Sequence, residues 1–302
     1  CRGFNRTTYE LASRHKYVLY IDEVMDCVEE CKKITKSDFK ILSNYNLISI
    51  ADDGRILWNH SNEHNYKGKF DQVKSLCENG NLYRFKNKKN FWIFPTDFLA
   101  LFDEVWVLTY LWSGSTMDAY VLAAGYRVHH HTLVDYQLEP HSLIDEGPMR
   151  ARIKSLITII DDPKLNAIGN IPKYGRRVCP LSSSWYGRQD AGVLKEIHNL
   201  IYNYYKNKVS GGATQAMWTC YKPQKIRLKG PGYSRGHVEC TARATNEHRH
   251  RTNLAYMIDL YMVTIVKTFI DSRGVKVSQD QYSLSALVQW IFRSAIRDGK
   301  PI

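Results

Sequence analysis

The chain has 302 residues, enough for two domains of ordinary size, and its hydrophobic fraction of 44% excludes a disordered protein. Its net charge of +12 indicates a polyanionic partner, most often nucleic acid, and residues 161–255 concentrate the excess with 16 Lys and Arg against 6 Asp and Glu. No apolar stretch is long enough and free enough of charge to predict a membrane span, and the 7 scattered cysteines favour a reduced, cytoplasmic protein with no structural metal.

The first strong element in chain order is an apolar and aromatic run over residues 17–24, which carries Asp22 and Glu23 near its end. A continuous run of this kind predicts a strand buried on both faces of a parallel sheet. Open α/β sheets bind ligands at the carboxyl ends of their strands, so the two carboxylates stand where a P-loop NTPase holds Mg²⁺ and orients its attacking water. The alternative is a core strand that leads into an acidic loop.

Smaller elements follow the first strand. Residues 25–33 have the pattern of a helix, and Thr35 offers an N-cap for another. Two apolar runs within residues 47–58, separated by an Asp-Gly turn, predict a β-hairpin. Because the region that follows is polar and only locally helical, residues 35–90 are interpreted as an insertion in the first domain.

A second buried strand is predicted over residues 104–112, and it opens into a small polar turn that contains Ser113. Such a turn can sense a bound phosphate and pass its presence to a neighbouring domain, and a strand followed by an ordinary turn is the alternative. Residues 126–136 predict a further strand. Buried strands that alternate with short helices are typical of an α/β fold, so residues 1–136 form the first predicted domain and residues 137–175 a linker with a peripheral helix.

The second predicted domain spans residues 176–302. It contains a helix over residues 191–205, a strand over residues 215–221 and, after a basic loop rich in glycine, a helix over residues 253–269. A final helix is predicted over residues 284–297, close to the end of the sequence.

Gln289, Arg293 and Arg297 recur every four residues in this final helix, so we expect one helix face to carry all three side chains. A guanidinium is always charged and can grip phosphate oxygens with two of its nitrogens. The pattern therefore predicts an arginine comb for a phosphate-bearing ligand. The alternative is an amphipathic helix whose exposed face is basic.

Further cations predict a nucleic-acid-binding surface in the second domain. Lys and Arg side chains neutralise the phosphate backbone, and aromatic rings stack on bases, which makes Trp185, Tyr186 and Tyr233 candidates for stacking. For residues 243–253 the alternative is a solvated basic loop. The residues that we expect to contact nucleic acid are Lys225, Arg227, Lys229, Arg235, Arg243, Asn246, Arg249 and Arg251.

Together these motifs resemble the motor core of superfamily-two (DEAD/DEAH-like) helicases, and most closely phage-encoded DEAD-like helicases. The resemblance implies that Asp22, in the Walker B motif, holds Mg²⁺ through the nucleotide and that Glu23 activates water. It assigns the coupling motif to Thr109 and Ser113. It assigns the final arginine motif, whose last arginine is displaced by one residue, to Gln289, Arg293 and Arg297.

The resemblance implies two RecA-like P-loop NTPase domains with parallel sheets, the first incomplete at its N-terminus and the second at its C-terminus. It implies an ATP-dependent helicase or translocase of phage DNA replication or recombination, with ATP and Mg²⁺ as cofactors, single-stranded DNA or RNA as partner, and no membrane. It places the protein in the cytoplasm of the host cell.

The sequence contains no G-x-x-x-x-G-K-[ST] motif. In the helicase family this phosphate-binding loop precedes the Asp-Glu motif, so we expect it before Cys1, in a longer parent protein that is the active ATPase. The 302-residue piece itself is expected to be inactive or nearly so.

Two other functions are compatible with the residues. One is a nucleic-acid-binding accessory protein without catalysis, for which the basic charge would suffice. The other is a metal-dependent nuclease built on Asp22 and Glu23, which needs further carboxylates. A Gly-Lys-Ser/Thr loop upstream of Cys1 would separate the motor from both alternatives.

Overall fold

The computed structural model describes residues 6–59, 68–86, 89–166, 168, 179–242 and 246–302. The chain divides into unit 1, which contains Cys1–Val128 and Met262–Ser278, and unit 2, which contains His129–Tyr261 and Gln279–Ile302. The residues predicted as a linker thus fall in unit 2, and a short segment from late in the sequence belongs to unit 1. No helix in the described ranges is long and apolar enough to cross a membrane.

Strands and helices alternate along much of the chain, which confirms the predicted mixed α/β class. The strands are β1 (Val18–Asp22), β2 (Val28–Glu30), β3 (Ile48–Ile50), β4 (Ile56–Trp58), β5 (Leu82–Phe85), β6 (Lys89–Ile93), β7 (Glu104–Leu108), β8 (His131–Val134), β9 (Gln137–Pro140), β10 (Ala216–Thr219) and β11 (Asn253–Tyr256). The helices are α1 (Arg6–Arg14), α2 (Lys36–Asn44), α3 (Asp71–Glu78), α4 (Thr96–Leu99), α5 (Thr116–Ala123), α6 (Gly147–Ser155), α7 (Pro163–Asn166), α8 (Ser183–Tyr186), α9 (Ala191–Asn203), α10 (Gly212–Gln215), α11 (Lys225–Leu228), α12 (Thr264–Asp271) and α13 (Gln279–Ile291).

The strand predicted over residues 17–24 is β1, and it pairs in parallel with β7, with Asp22 opposite Leu108. The parallel pairing agrees with the prediction, but the prediction that both faces are buried is wrong. Tyr20 is 67% exposed and Leu108 is 56% exposed, whereas Ile21 is only 8% exposed. Successive side chains of a strand point to opposite faces, so β1 buries the face of Ile21 and leaves the face of Tyr20 open.

The middle of unit 1 folds around a hydrophobic core of its own. An antiparallel sheet in the order β2-β6-β5 lies beside the β3–β4 hairpin and helices α2 and α3. The helix predicted over residues 25–33 is wrong, because Val28–Glu30 pair with β6 as a strand. The fully buried side chains at the centre of this core are Leu42, Ile56 and Leu82. The region interpreted as an insertion therefore packs as a structural body.

The hairpin predicted over residues 47–58 is confirmed, with Ile48 opposite Trp58 in an antiparallel pair. Gly54 lies in its turn with a φ of +87°, in the left-handed region where a side chain is disfavoured. A Cβ atom added to Gly54 would lie 2.9 Å from the carbonyl oxygen of Arg84. The glycine is therefore required both for the turn and for the close approach of β5.

The N-cap predicted at Thr35 is confirmed, and Asp38 completes it as a capping box at the start of α2. The Thr35 hydroxyl accepts from the backbone N–H of Asp38 at 3.1 Å, and the Asp38 carboxylate accepts from the backbone N–H of Thr35 at 3.1 Å. The Lys69 ammonium donates to the same carboxylate at 2.8 Å. These bonds, first that of Lys69 and then those of Thr35, lower the pKa of the Asp38 carboxyl to about 2.

We expect Asp38→Asn to lower the melting temperature at pH 7 by about 2–4 °C, because the amide lacks the charge that strengthens the bonds from Lys69 and Thr35. A carboxyl whose pKa is lowered on folding stabilises the fold above its ordinary pKa and loses that effect as the pH falls towards the folded value. Thermal melts at several pH values should therefore show the two proteins converging between pH 4 and about pH 2. The exposed Asp52→Asn is the control, and a difference that persists at pH 2 would contradict the assignment.

Unit 2 is built around β10, which pairs in parallel with β11. On its other side, the backbone N–H of Val238 donates to the Trp218 carbonyl at 2.9 Å. Trp218 and Ile197 of α9 are fully buried in the core.

The helix predicted over residues 253–269 is wrong, because its first part is β11 and α12 begins only at Thr264. A short apolar run fits a helix or a strand, and here the pairing with β10 decides.

Candidate functional site

The carboxyl ends of β1 and β7 lie side by side in unit 1. Asp22 is aligned with Leu108, the backbone N–H of Glu23 donates to the Leu108 carbonyl at 3.0 Å, and Thr109 follows directly. The structure therefore brings Asp22, Glu23 and Thr109 to one end of one parallel sheet, the end at which α/β sheets bind ligands. We call these three residues the carboxylate edge.

Glu23 has a φ of +69°, a left-handed backbone conformation that residues other than Gly, Asn and Asp rarely adopt. Backbone strain of this kind clusters at functional sites. The side chain of Glu23 is half-buried and that of Asp22 is exposed. In the described part of the chain no group of three or more His, Cys, Asp or Glu could hold a metal ion. A Mg²⁺ ion at this edge would thus take most of its ligands from a nucleotide and from water.

Thr109 and Ser113 differ in their surroundings. The hydroxyl of Thr109 is buried and has no hydrogen-bond partner among the described residues. Ser113 is exposed in the loop that follows, and Ser115 caps α5 by accepting from the backbone N–H of Asp118 at 3.0 Å. Thr109 therefore belongs to the carboxylate edge, whereas the structure does not bring Ser113 to it.

The prediction that Gln289, Arg293 and Arg297 share one helix face is wrong. Helix α13 ends at Ile291, and the chain continues through two three-residue turns. In the first turn the backbone N–H of Arg293 donates to the Trp290 carbonyl at 3.1 Å. In the second the backbone N–H of Ser294 donates to the Ile291 carbonyl at 2.9 Å. Arg297 lies in a separate 3₁₀ turn, Ala295–Asp298. Arg293 is only 6% exposed, while the Arg297 side chain is exposed.

This end of the chain nevertheless meets the segment that precedes β11. The backbone N–H of Ala295 donates to the Arg251 carbonyl at 2.9 Å, and Arg249 forms an ion pair with Asp298. The Arg251 guanidinium donates to the carbonyls of Ala216 and Arg235, so it holds the start of β10 rather than pointing freely into solvent. No sequence pattern indicates a role for Asp298, because its partner Arg249 lies 49 residues earlier in the chain.

His248 lies close to several basic side chains. Burial, followed by the nearby charges of Arg251, His250 and Arg293, lowers the pKa of this imidazole. Its Nδ1 atom is buried with no hydrogen-bond partner among the described residues. We call the cluster the arginine edge, and it consists of His248, Arg249, Arg251, Arg293 and Arg297. Burial disfavours a charge of either sign, whereas the nearby charges of Arg251, His250 and Arg293 favour an anion.

The basic loop before β11 carries its cations on the surface. Helix α11 lies within it, and Leu228, fully buried, anchors the helix while its charged neighbours stay outside. Gly236 packs against β10, where an added Cβ would lie 2.3 Å from the Ala216 carbonyl oxygen, so this glycine serves packing. Arg243 lies outside the described residues. The exposed polar side chains of the predicted nucleic-acid surface are Lys225, Arg227, Lys229, Arg235, Asn246 and Arg249.

The aromatic residues predicted to stack on bases belong to the core of unit 2, so that prediction is wrong. Trp185, Tyr186 and Tyr233 are 6%, 2% and 1% exposed. The Tyr233 hydroxyl donates to the Leu228 carbonyl at 2.5 Å, and the indole N–H of Trp218 donates to the Tyr233 carbonyl at 3.0 Å. These aromatic side chains stabilise the scaffold beneath the cations.

Two family models match the chain: one described as the YonV middle domain, over residues 28–92, and one described as the YonV C-terminal Rossmann-like domain, over residues 151–302. A protein of Bacillus subtilis (strain 168), named SPbeta prophage-derived uncharacterized protein YonV, is 32% identical over 306 residues, which cover 99% of this chain and 72% of that protein. No solved structure matches the chain. The middle-domain match covers the region interpreted as an insertion, and the parallel β10–β11 pair lies in the Rossmann-like match. The chain therefore belongs to the YonV family and carries a Rossmann-like domain in its C-terminal half.

Proposed function

We propose that this protein is part of an ATP-dependent nucleic-acid motor, a helicase or translocase of the superfamily-two type with two RecA-like P-loop domains. The observation that carries the proposal is the register of β1 and β7, which places Asp22 and Glu23 beside Thr109 at the carboxyl end of a parallel sheet. The prophage origin named for the Bacillus subtilis relative supports a phage source. The role that we propose for such a motor is in phage DNA replication or recombination.

In this proposal each group at the carboxylate edge has one task. Asp22, exposed at the end of β1, holds the Mg²⁺ of bound Mg-ATP, and half-buried Glu23 accepts a proton from the attacking water. The unpartnered hydroxyl of Thr109 responds to the phosphate, because a buried donor without a partner gains most from a new hydrogen bond.

The arginine edge supplies positive charge for phosphate. Arg297 is exposed and can stabilise negative charge that builds on a transferred phosphoryl group. Arg293 is buried and raises the positive potential from below, and Gln289, half-buried in α13, positions the turn that follows it. The two motifs that form this edge are far apart in sequence, and their contact through Ala295 and Arg251 supports a shared role.

The proposed partner is single-stranded DNA or RNA, which lies along the exposed cations of the basic loop. We expect the triple substitution of Lys225, Arg227 and Lys229 by Glu to weaken binding of a labelled oligonucleotide at least tenfold in about 0.1 M salt. It should also reduce the slope of log K against log salt by about 2, since each lost contact to a single strand removes about 0.7. Fluorescence anisotropy over a range of salt concentrations measures both quantities.

The matched control reverses three exposed lysines of unit 1, Lys16, Lys36 and Lys40, and so changes the net charge by the same amount. The proposal requires that this control keep most of the affinity and the slope. An affinity that does not depend on salt, or an equal loss in both triple variants, would contradict the assigned surface.

A nucleic-acid-binding accessory protein without catalysis is the second candidate, and it is favoured by the absence of a G-x-x-x-x-G-K-[ST] motif from the 302 residues. Nucleic-acid-stimulated ATP hydrolysis separates the two. The motor proposal expects hydrolysis in a longer form of the protein that carries a phosphate-binding loop, and little in the 302-residue chain. If the longer form binds nucleic acid but never hydrolyses ATP, the accessory function is correct.

A further inference from the structure

Unit 1 contains a pocket of about 650 Å³ to which the carboxylate edge contributes no side chain. Small-molecule sites usually have volumes of about 300–1,000 Å³. The pocket lies between α3, the end of α1 and the strand pair β2–β6, and most of its lining belongs to residues 28–92, the middle-domain match. Its walls combine two aromatic rings and three side-chain amides, those of Tyr9, Trp92, Gln72, Asn79 and Asn81, with two lysines, Lys32 and Lys33, and three carboxylates.

The amides offer both donors and acceptors to a planar polar ligand. Asn81 is 7% exposed, and its side-chain N–H donates to the Ile93 carbonyl at 2.9 Å, while its carbonyl oxygen accepts from no described residue. The Gln72 carbonyl accepts from the Lys33 ammonium at 2.8 Å, which leaves the Gln72 amino group as a donor. Asn79 is exposed at the C-cap of α3 and can supply either. The hydrogen-bonding edge of a nucleobase presents this mixture.

The aromatic and charged groups fit the other parts of a nucleotide. Trp92 is held in the sheet, 9% exposed, and Tyr9 packs edge-on against Phe98 with ring centroids 5.4 Å apart, so both rings are fixed before a base arrives. Lys32 is exposed and forms no ion pair with a described residue. A rigid ring suits the face of a base, and a free ammonium suits its phosphate.

Three acidic side chains, those of Glu29, Glu30 and Asp71, also line the pocket. Glu30 forms an ion pair with Lys89, and the Asp71 carboxylate accepts from the backbone N–H of Gly68 at 2.9 Å. Two of the three lining carboxylates, those of Glu30 and Asp71, therefore have contacts within the protein. Lys32 keeps its charge for an incoming anion, in a chain whose net charge is already +12.

We infer that this pocket binds a nucleobase together with its 5′-phosphate. The aromatic walls stack on the base, the amides of Asn81, Gln72 and Asn79 bond its edge, and Lys32 meets the phosphate. The ligand is either a free mononucleotide or one nucleotide of a single strand. The inference goes beyond the proposed motor, because none of the residues assigned to ATP hydrolysis line the pocket.

The test uses the 302-residue chain and two probes. One probe is a single-stranded oligonucleotide that carries 2-aminopurine, whose fluorescence changes when the base stacks on an aromatic ring, and the other is a set of the four common ribonucleoside monophosphates used as competitors. Ser75→Phe fills the pocket from an exposed position on α3, and Lys32→Ala removes the phosphate contact. The matched controls are Lys40→Phe and Lys36→Ala on α2, which do not line the pocket.

We expect a saturable fluorescence change with the unmodified chain. Ser75→Phe should weaken it at least tenfold, within the roughly five- to hundredfold range for one stacked base. Lys32→Ala should weaken it about two- to fivefold, as for one exposed charge pair. Both controls should bind normally, and thermal melts should show that all four variants fold.

The two arms identify the source of the base. Competition by a mononucleotide assigns the pocket to free nucleotides, and binding of the strand without such competition assigns it to a presented base. A wild-type chain that gives no saturable fluorescence change with the 2-aminopurine strand, or a Ser75→Phe variant of undiminished affinity, would overturn the inference. The Glu triple variant of the basic loop keeps the mononucleotide arm intact, so failure of the proposed function and failure of this inference are distinguishable.

Discussion

Glu23→Gln should lower ATP turnover by about 10²–10⁴-fold in a form of the protein that hydrolyses ATP, with nucleotide affinity almost unchanged. Glu23 follows β1 directly, is half-buried, and is fixed by the bond from its backbone N–H to the Leu108 carbonyl at 3.0 Å. The amide of glutamine keeps the shape of the side chain but cannot accept the proton of the attacking water. Binding, which depends on phosphate contacts elsewhere, should therefore survive the loss of chemistry.

Steady-state hydrolysis and equilibrium binding of a fluorescent ATP analogue measure the two effects separately. Glu10→Gln, on exposed α1, is the matched control and should leave both quantities unchanged. Turnover of the Glu23→Gln variant within twofold of normal would show that Glu23 takes no part in the chemical step. A parallel loss of binding and turnover would indicate that the strained backbone at φ +69° had collapsed instead.

Arg297→Ala should lower kcat by about 10³–10⁵-fold, the range observed for arginine fingers, with a modest change in nucleotide affinity. The structure separates Arg297 from Arg293. The first is exposed in its own turn and free to approach a phosphate, and the second is 6% exposed. Only stabilisation that grows in the transition state raises the chemical rate, and of the two arginines only Arg297 is exposed enough to meet a ligand.

Lys at position 297 should restore little activity, because a point charge cannot reproduce the planar fork of a guanidinium. Arg293→Ala should instead lower the melting temperature, since it empties a buried position at the end of α13. Arg188→Ala, an exposed arginine of the same unit, is the control. Normal kcat in Arg297→Ala would end the assignment of this segment to phosphoryl transfer and leave a basic surface for nucleic acid.

Local chemistry made several elements predictable from the sequence. The cap at Thr35 and the hairpin around Gly54 depend on side chains within a few residues of each other, and both are found where the pattern places them. The parallel strand that ends at Asp22 is also found, because a run of β-branched and aromatic residues before two carboxylates has few other interpretations.

The remaining elements depend on partners far away in the chain. Val28–Glu30 form a strand because β6 lies beside them, more than fifty residues later. The helical pattern through Arg293 and Arg297 is interrupted by turns, in which the backbone N–H of Ala295 donates to the Arg251 carbonyl. The tyrosines and tryptophans near the basic loop are buried by α9 and β10, and no local sequence pattern predicts this burial. Non-local contacts of this kind override local propensity.

The division of unit 1 between two stretches of sequence has a consequence for how the protein is made. Helix α12, in the segment Met262–Ser278, packs its Phe269 ring 5.2 Å from that of Phe91. A ribosome delivers residues 129–261 before this segment, so the Phe91 surface stays uncovered for about 7–27 seconds of synthesis at roughly 5–20 residues per second. Although most of unit 1 is synthesised first, its core is therefore completed only after residues 129–261 have been made. A polypeptide released at residue 128 would expose the uncovered aromatic surface to chaperones and proteases.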